Sequence, residues 1–430
     1  MMMVQYPNLE KVATWRTKGD MFYLCMTCRY CIFESYEYLD GKDKSAGYQN
    51  LCPAYDVWQH EAYSSFGKVA IARALYEGKM ELTDKAVELI YACSVCGACR
   101  EECFARKRTK YYEEHGVPPS PFDPLEIILA LRRDSVELGK GPLPRQQRWM
   151  KEIEERNNPY FEKHEARLNW LSPEVRGKLP KRADVVYFVG CTASYREPQI
   201  AKATVDILEK AGVDYTIMFP EEWCCGSPVY MVGNTNLFNR QLKHNVEAVK
   251  NYGAKQLVTS CAGCYRMWKK EYPETLKEML PFEVLHSVEF IQKLIRDGRI
   301  RLDKKIAKEV TYHDPCHIGR HLMDGNGSYK PLFDQPREIL QSIPGIKLKE
   351  MPRKRWYSYC CSAGGGFKSA FPTQAIEIAA RRINEALEVG VNTLVSACPF
   401  CYRNFRDAIN ERKFNIELYD VVELVAASIV

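Results

Sequence analysis

The chain has 430 residues, 46% of them hydrophobic, with 61 basic and 55 acidic side chains and a formal net charge of +6. That length suggests two to four domains at roughly 100–200 residues each, and the charges are spread along the chain, with only short basic clusters such as "ARKRTK" and "PRKRWY", which argues for a solvated face and against a nucleic-acid site. No stretch approaches the roughly 20 apolar residues that span a bilayer, and the N-terminus "MMMVQYPNLEKVATWRTKGD" lacks the apolar run of a secretory leader.

The chain is therefore expected in the cytoplasm, reaching the inner face of a membrane only through a partner. In that compartment 18 cysteines do not read as a disulfide framework, because thiols there are kept reduced. They read as metal ligands.

Residues 1–110 read as a helical ferredoxin-like domain. "CMTCRYC" supplies Cys25, Cys28 and Cys31, and Cys52 follows after an insertion, with Pro53 behind it. Helical patterns in "SFGKVAIARALYEGKM" and "TDKAVELIYAC" then lead to "CSVCGACREEC", which supplies Cys93, Cys96, Cys99 and Cys103. The C-x2-C-x2-C-x3-C spacing is that of a bacterial-type iron–sulfur run, whereas zinc ribbons use two separated C-x2-C knuckles. In two-cluster ferredoxins the fourth cysteine of each run ligates the other cluster. On that rule Cys25, Cys28, Cys31 and Cys103 hold one cubane [4Fe–4S] centre, and Cys52, Cys93, Cys96 and Cys99 hold the second.

Residues 111–182 form a connector in which proline and charge interrupt short helical patterns. From about residue 183 short apolar strands alternate with amphipathic helices, the signature of an α/β fold with parallel sheets. "VVYFVG" leads to Cys191, "YTIMF" precedes the Cys224–Cys225 pair, and "QLVTS" leads to Cys261 and Cys264. Residues 301–430 repeat residues 183–300. "EVTYHDP" leads to Cys316, "KLKEM" precedes the Cys360–Cys361 pair, and "NTLVSA" leads to Cys398 and Cys401. Matching cysteines are 125, 136, 136, 137 and 137 residues apart, so the two α/β domains are a tandem duplication. Placement after strands brings distant cysteines to one rim, where open α/β sheets bind their ligands.

Each copy thus carries a single cysteine, a vicinal pair and a C-x2-C. Five thiolates exceed the four that a tetrahedral zinc or a cubane accepts. A disulfide within a vicinal pair is disfavoured, because neighbouring Cα atoms lie only about 3.8 Å apart. Gly226 after the first pair suits a tight turn, and Ser362 takes its place in the second copy.

"YHDPCHIGRH" surrounds Cys316 with His313, His317 and His321. Histidine titrates near neutrality, so His317, the immediate neighbour of Cys316, is the candidate proton donor; the competing reading is a turn built by Asp314 and Pro315 in which the histidines are structural. Gly364, Gly365 and Gly366 come without a Walker lysine or a dinucleotide fingerprint, and nucleotide binding is rejected.

The motifs "CCGSPV" and "CCSAGGG", following two ferredoxin-type runs, make the chain from about residue 20 onward resemble the heterodisulfide reductase D-subunit family, in which B- and C-type subunits are fused. The resemblance implies that each pentad carries a noncubane [4Fe–4S] centre whose vicinal cysteines serve neighbouring irons. It implies catalysis at Cys224, Cys225, Cys360 and Cys361, with electrons entering through the two cubanes and reducing a disulfide or related thiol-type substrate. Partners would be other redox subunits: a flavoprotein, a cytochrome or another dehydrogenase. The alternative is an electron relay between a dehydrogenase and a quinone or carrier, and a third reading is a zinc-stabilised scaffold.

Overall fold

In the computed structural model of the chain, residues 5–14, 18–32, 50–103, 105, 122–322 and 329–430 are described. The basic run from residue 106 and the first part of the expected connector lie outside them. The chain forms two compact units that interleave in sequence. One takes Met1–Gln147, Pro228–Thr235 and Pro352–Ile378; the other takes Arg148–Ser227, Asn236–Met351 and Ala379–Val430.

The first unit is helical, as its sequence patterns imply. The helix Ser65–Tyr76 starts where the Ser64 hydroxyl accepts from the Gly67 N–H, and Asp84–Tyr91 starts where Thr83 accepts from Ala86. Their apolar residues Val69, Ala72 and Leu75, and Ala86, Val87 and Ile90, are buried. The helix Pro124–Glu137 is the centre of the unit. Asp123 caps it through Leu125 and Glu126, proline occupies its first turn, and Leu125, Ile127, Ile128, Leu129, Ala130 and Leu131 are all buried. The helices Pro7–Ala13 and Ser65–Tyr76 pack on it, and its Asp134 carboxylate accepts from the Asn8 and Leu9 N–H groups, both at 2.9 Å, which satisfies donors at the start of the first helix.

Arg132, on the same central helix and fully buried, ties the three segments of this unit together. Its guanidinium donates to the carbonyls of Met231 (2.8 Å), Gly365 (2.8 Å) and Cys93 (2.7 Å). Gly365, at φ +63°, lies so close to the Ser94 backbone that a Cβ would sit 2.5 Å from the Ser94 carbonyl oxygen, so only glycine fits there. The last segment is anchored by Tyr359, Phe367, Ala375 and Ile378, with Trp58 and Phe371 packed against them.

The second unit holds two four-stranded parallel sheets, as the alternation of strands and helices implies. Strands β1 (Val185–Tyr187), β2 (Tyr215–Thr216), β3 (Gln256–Thr259) and β4 (Glu283–His286) lie in the order β2-β1-β3-β4. Strands β5 (Lys308–His313), β6 (Ile346–Leu348), β7 (Thr393–Ser396) and β8 (Glu417–Asp420) repeat it as β6-β5-β7-β8. The shared order is what a tandem duplication produces. Strands β4 and β8, which the pattern reading did not single out, both run into a helix through a capping box: His286 with Glu289, and Asp420 with Glu423. The strands are short because the chain turns out of the sheet directly before the cysteines: β1 before Cys191, β3 before Cys261, β5 before Cys316 and β7 before Cys398.

Candidate metal centres

In the helical unit, one cavity is lined by Cys25, Cys28, Cys31 and Cys103 together with the apolar side chains of Val69 and Phe122. A second is lined by Cys52, Cys93, Cys96 and Cys99 together with Lys68. The fourth cysteine of each run therefore sits with the other run's three. Burial pushes the Cys52 thiol up to about 12 and holds Cys31 and Cys99 well above the ordinary thiol value. Such thiols stay protonated in neutral water unless a metal displaces the proton, and four sulfurs around one cavity suit a group that takes four thiolates. Lys68 is buried in the wall of the second cavity, with Nζ donating to the Tyr63 carbonyl at 2.6 Å; burial lowers its pKa.

In the α/β unit, Cys191, Cys224, Cys225, Cys261 and Cys264 are all buried. Their thiols lie close enough to act on one another's protonation: Cys191 and Cys224, Cys224 and Cys225, Cys225 and Cys264, and Cys264 and Cys261. The neighbouring thiols of Cys224 and then Cys264 bring Cys225 down to about 6, whereas the Cys224 thiol and burial hold Cys191 well above its usual value. A dry network of five thiols, with one of them poised as thiolate, matches the donor set of a polynuclear metal–sulfur group. Close approach supports the same fit, since a Cβ on Gly190 would meet the Cys264 Sγ at 2.9 Å.

The vicinal pair is held rigidly from behind. The Cys224 N–H donates to the Asn157 carbonyl (2.8 Å), the Cys224 carbonyl accepts from Asn245 Nδ2 (3.0 Å) and the Cys225 carbonyl from the Tyr272 hydroxyl (3.0 Å). The chain turns away at Gly226 with φ +76°. Ser362, at the matching place, has φ +55°, so the turn survives the loss of glycine at the strain cost of a left-handed non-glycine residue.

The second copy's cysteines fall in both units. Cys360 and Cys361 belong to the helical unit, where the Ser94 hydroxyl donates to the Cys360 Sγ at 3.5 Å and the Ser362 N–H donates to the same sulfur at 3.2 Å. Cys316, Cys398 and Cys401 belong to the α/β unit. There Cys398 lies beside Cys261 of the first copy and Cys401, and these two neighbours pull its pKa well below the thiol value. The C-x2-C cysteines of the two copies thus adjoin.

The three histidines divide by environment. His313 is buried against Phe405, with centroids 4.9 Å apart, and its Nδ1 accepts from Arg382 Nε at 3.3 Å. His321 hydrogen-bonds to Arg266, which pairs with Glu271 at 2.6 Å. His317 lies beside His321 with ring centroids 4.6 Å apart, and its Nδ1 is 3.5 Å from where a Cβ on Gly263 would stand, between Cys261 and Cys264. Its Nε2 is buried with no hydrogen-bond partner among the described residues. Burial, reinforced by Arg266, drives its pKa to about 3, so the ring is neutral across the physiological range.

Two residues beside the first pentad carried no sequence signal. Arg167, from the expected connector, donates through Nη2 to the Cys191 Sγ at 3.4 Å and through Nη1 to Glu222 Oε1 at 2.7 Å, and both side chains are wholly buried. Glu222 in turn accepts from the Val189 N–H (3.0 Å) and the Gly190 N–H (2.8 Å). Its place two residues before the cysteine pair was the only hint.

A family model described as a cysteine-rich domain matches residues 185–269 and 310–406, one segment for each copy. The D subunit of the dihydromethanophenazine:CoB–CoM heterodisulfide reductase of Methanosarcina mazei is 40% identical over 414 residues, covering 94% of this chain and 93% of the relative. Its counterpart in Methanosarcina acetivorans is 37% identical over the same shares. The EtfAB:quinone oxidoreductase of Syntrophomonas wolfei is 30% identical over 90% of this chain and 58% of its own length. No helix among the described residues is long and apolar enough to cross a membrane. Likeness along nearly the whole of both chains, with each cysteine-rich repeat matched in place, makes this chain a member of the heterodisulfide reductase D-subunit family of iron–sulfur oxidoreductases.

Proposed function

We propose that the chain is the catalytic subunit of a heterodisulfide reductase, in which a disulfide takes up two electrons and two protons and leaves as two thiols. Cys25, Cys28, Cys31 and Cys103 would hold one cubane [4Fe–4S] group, and Cys52, Cys93, Cys96 and Cys99 a second. The pentad Cys191, Cys224, Cys225, Cys261 and Cys264 would hold one noncubane group, and Cys316, Cys360, Cys361, Cys398 and Cys401, in the same sequence order, another. Bound there, these groups would supply the substrate with single electrons that come from a partner redox protein.

The chain's own residues divide the remaining work. The loop carrying Cys93 reaches the second vicinal pair through the contact of Ser94 with Cys360, and the second copy's C-x2-C reaches the first pentad through Cys398 and Cys261. Asn157, Asn245 and Tyr272 fix the direction of Cys224 and Cys225, and His317 would present an N–H to the leaving sulfur.

The observation that carries this reading is the completeness of the first pentad, five buried thiols placed close enough to shift one another's protonation. The test is heterodisulfide reduction by the anaerobically purified protein with a reduced viologen donor, alongside its iron content. Turnover with about sixteen irons per chain, four per site, supports the reading. About eight irons, or full iron with no disulfide reduced, refutes it. The likeness to a quinone oxidoreductase over 90% of the chain favours an electron relay as the second reading, and the latter outcome would select it.

A further inference from the structure

The first pentad has beside it a buried charge pair that the duplication did not copy. Glu222 stands two residues before Cys224, and Ser358 occupies the place two residues before Cys360. Arg167 comes from the connector, ahead of the duplication, and so has no counterpart generated by it. In the first copy a buried guanidinium thus stands on a ligand-type sulfur, at 3.4 Å from Cys191 Sγ. The Arg167 Nε, also buried, finds no hydrogen-bond partner among the described residues.

We infer that Arg167, held in place by Glu222, is a positioning residue that raises the reduction potential of the first-copy centre. The inference rests on the proposal that the pentad holds an iron–sulfur group. Reduction adds one negative charge to such a group, and a cation donating an N–H to a ligand sulfur stabilises the reduced form more than the oxidised one. Both side chains are wholly buried, so neither water nor salt screens the effect as it would at the surface. Glu222 has two jobs. It anchors the guanidinium through Oε1, and its two bonds to the Val189 and Gly190 N–H groups tie the turn before Cys191 to the chain that enters the Cys224–Cys225 pair. Its own negative charge offsets part of Arg167's.

The two residues therefore act on the potential with opposite signs, and this separates an electrostatic role from a merely structural one. Redox titration of the anaerobic holoprotein, followed by electron paramagnetic resonance, is the experiment. In R167M/E222Q, which avoids leaving a lone buried carboxylate, the reduction equilibrium of one noncubane centre should fall at least tenfold, about 59 mV for a one-electron couple, with the cubane signals unmoved. E222Q alone leaves the cation without its counter-charge and should move the same signal upward. R167K keeps the charge and should stay within about threefold of the parent, since the point charge survives while the fork geometry does not.

Shifts below threefold in both R167M/E222Q and E222Q at full iron content, or shifts in the same direction in both, overturn the inference. If the double variant does not load iron, E222Q decides by its sign: an upward shift supports the inference, and none overturns it. A parent protein that lacks any noncubane signal and holds only about eight irons instead removes the reading on which the inference rests.

Discussion

Replacing Arg132 with methionine should uncouple the ferredoxin-type loop from the second vicinal pair. The guanidinium supplies short bonds to three main-chain carbonyls, at 2.7 Å to Cys93 and 2.8 Å to both Met231 and Gly365, drawn from the three chain segments of the helical unit. A hydrogen bond from a charged donor contributes about 1.5–3 kcal/mol, and the buried cation's own desolvation offsets part of that. Taking about 1–1.5 kcal/mol net for each, R132M should lose about 4 kcal/mol, a large share of a typical domain's 5–15 kcal/mol. Lysine reaches one carbonyl at a time, so R132K should recover about a third of the loss. Denaturant unfolding gives the magnitude, and hydrogen exchange at residues 90–97, 229–233 and 362–368 gives the location. The same variant should slow electron delivery from a viologen donor to the disulfide while the cubane signals persist. An R132M protein within about 1 kcal/mol of the parent, with unchanged exchange in those three stretches, would show that Arg132 is not the tie described here.

On the proposed crossed ligation C52A should perturb the centre assigned to Cys93, Cys96 and Cys99, and C103A the one assigned to Cys25, Cys28 and Cys31; resonance spectra that change in the opposite assignment would exclude it. C225A and C361A should each abolish disulfide reduction while the ferredoxin-type centres still accept electrons from an artificial donor, and wild-type turnover in either would refute their catalytic role. H317A should slow turnover by a similar factor at every pH from 6 to 9, because a ring with a pKa of about 3 does not change charge in that window; a defect confined to high pH would contradict the neutral ring. His286 and His313, held at about 4 and 3 mainly by burial, keep their protons off in the folded state. The unfolded chain takes them up below about 6.5, so stability falls as pH drops. Between pH 7.5 and 6 each should cost about 0.8 kcal/mol, a loss that the double variant H286N/H313N should largely remove in thermal unfolding.

The parts that were legible from sequence were those whose chemistry requires a fixed spacing or a fixed period. Ligand runs are set by the size of the group they surround, so Cys25 to Cys103 could be sorted into two crossed sets, and the cavities fall on those same sets. The apolar runs of β1, β3, β5 and β7 stood out because buried parallel strands need continuous hydrophobic stretches. Strands β4 and β8 did not. Each is an edge strand with an exposed first residue, and each passes straight into a helix, so neither period lasts long enough to register. Ser362 stands where the first copy has Gly226 and adopts the same left-handed turn, which a local rule does not foresee when the flanking packing supplies the strain energy. Arg167, Glu222 and Arg132 were invisible because their work depends on partners far away in the chain, and buried arginines have no motif.

The helical unit is finished only when residue 378 has been made, because its last segment runs from Pro352 to Ile378. At synthesis rates of about 5–20 residues per second, tens of seconds separate the emergence of Cys103 from that of Gly365, which then closes against the Ser94 backbone. Throughout that interval the loop bearing Cys93, Cys96 and Cys99 lacks its cover. The contact between the ferredoxin-type loop and Gly365 thus cannot form until the unit's third segment has been made, long after the loop itself.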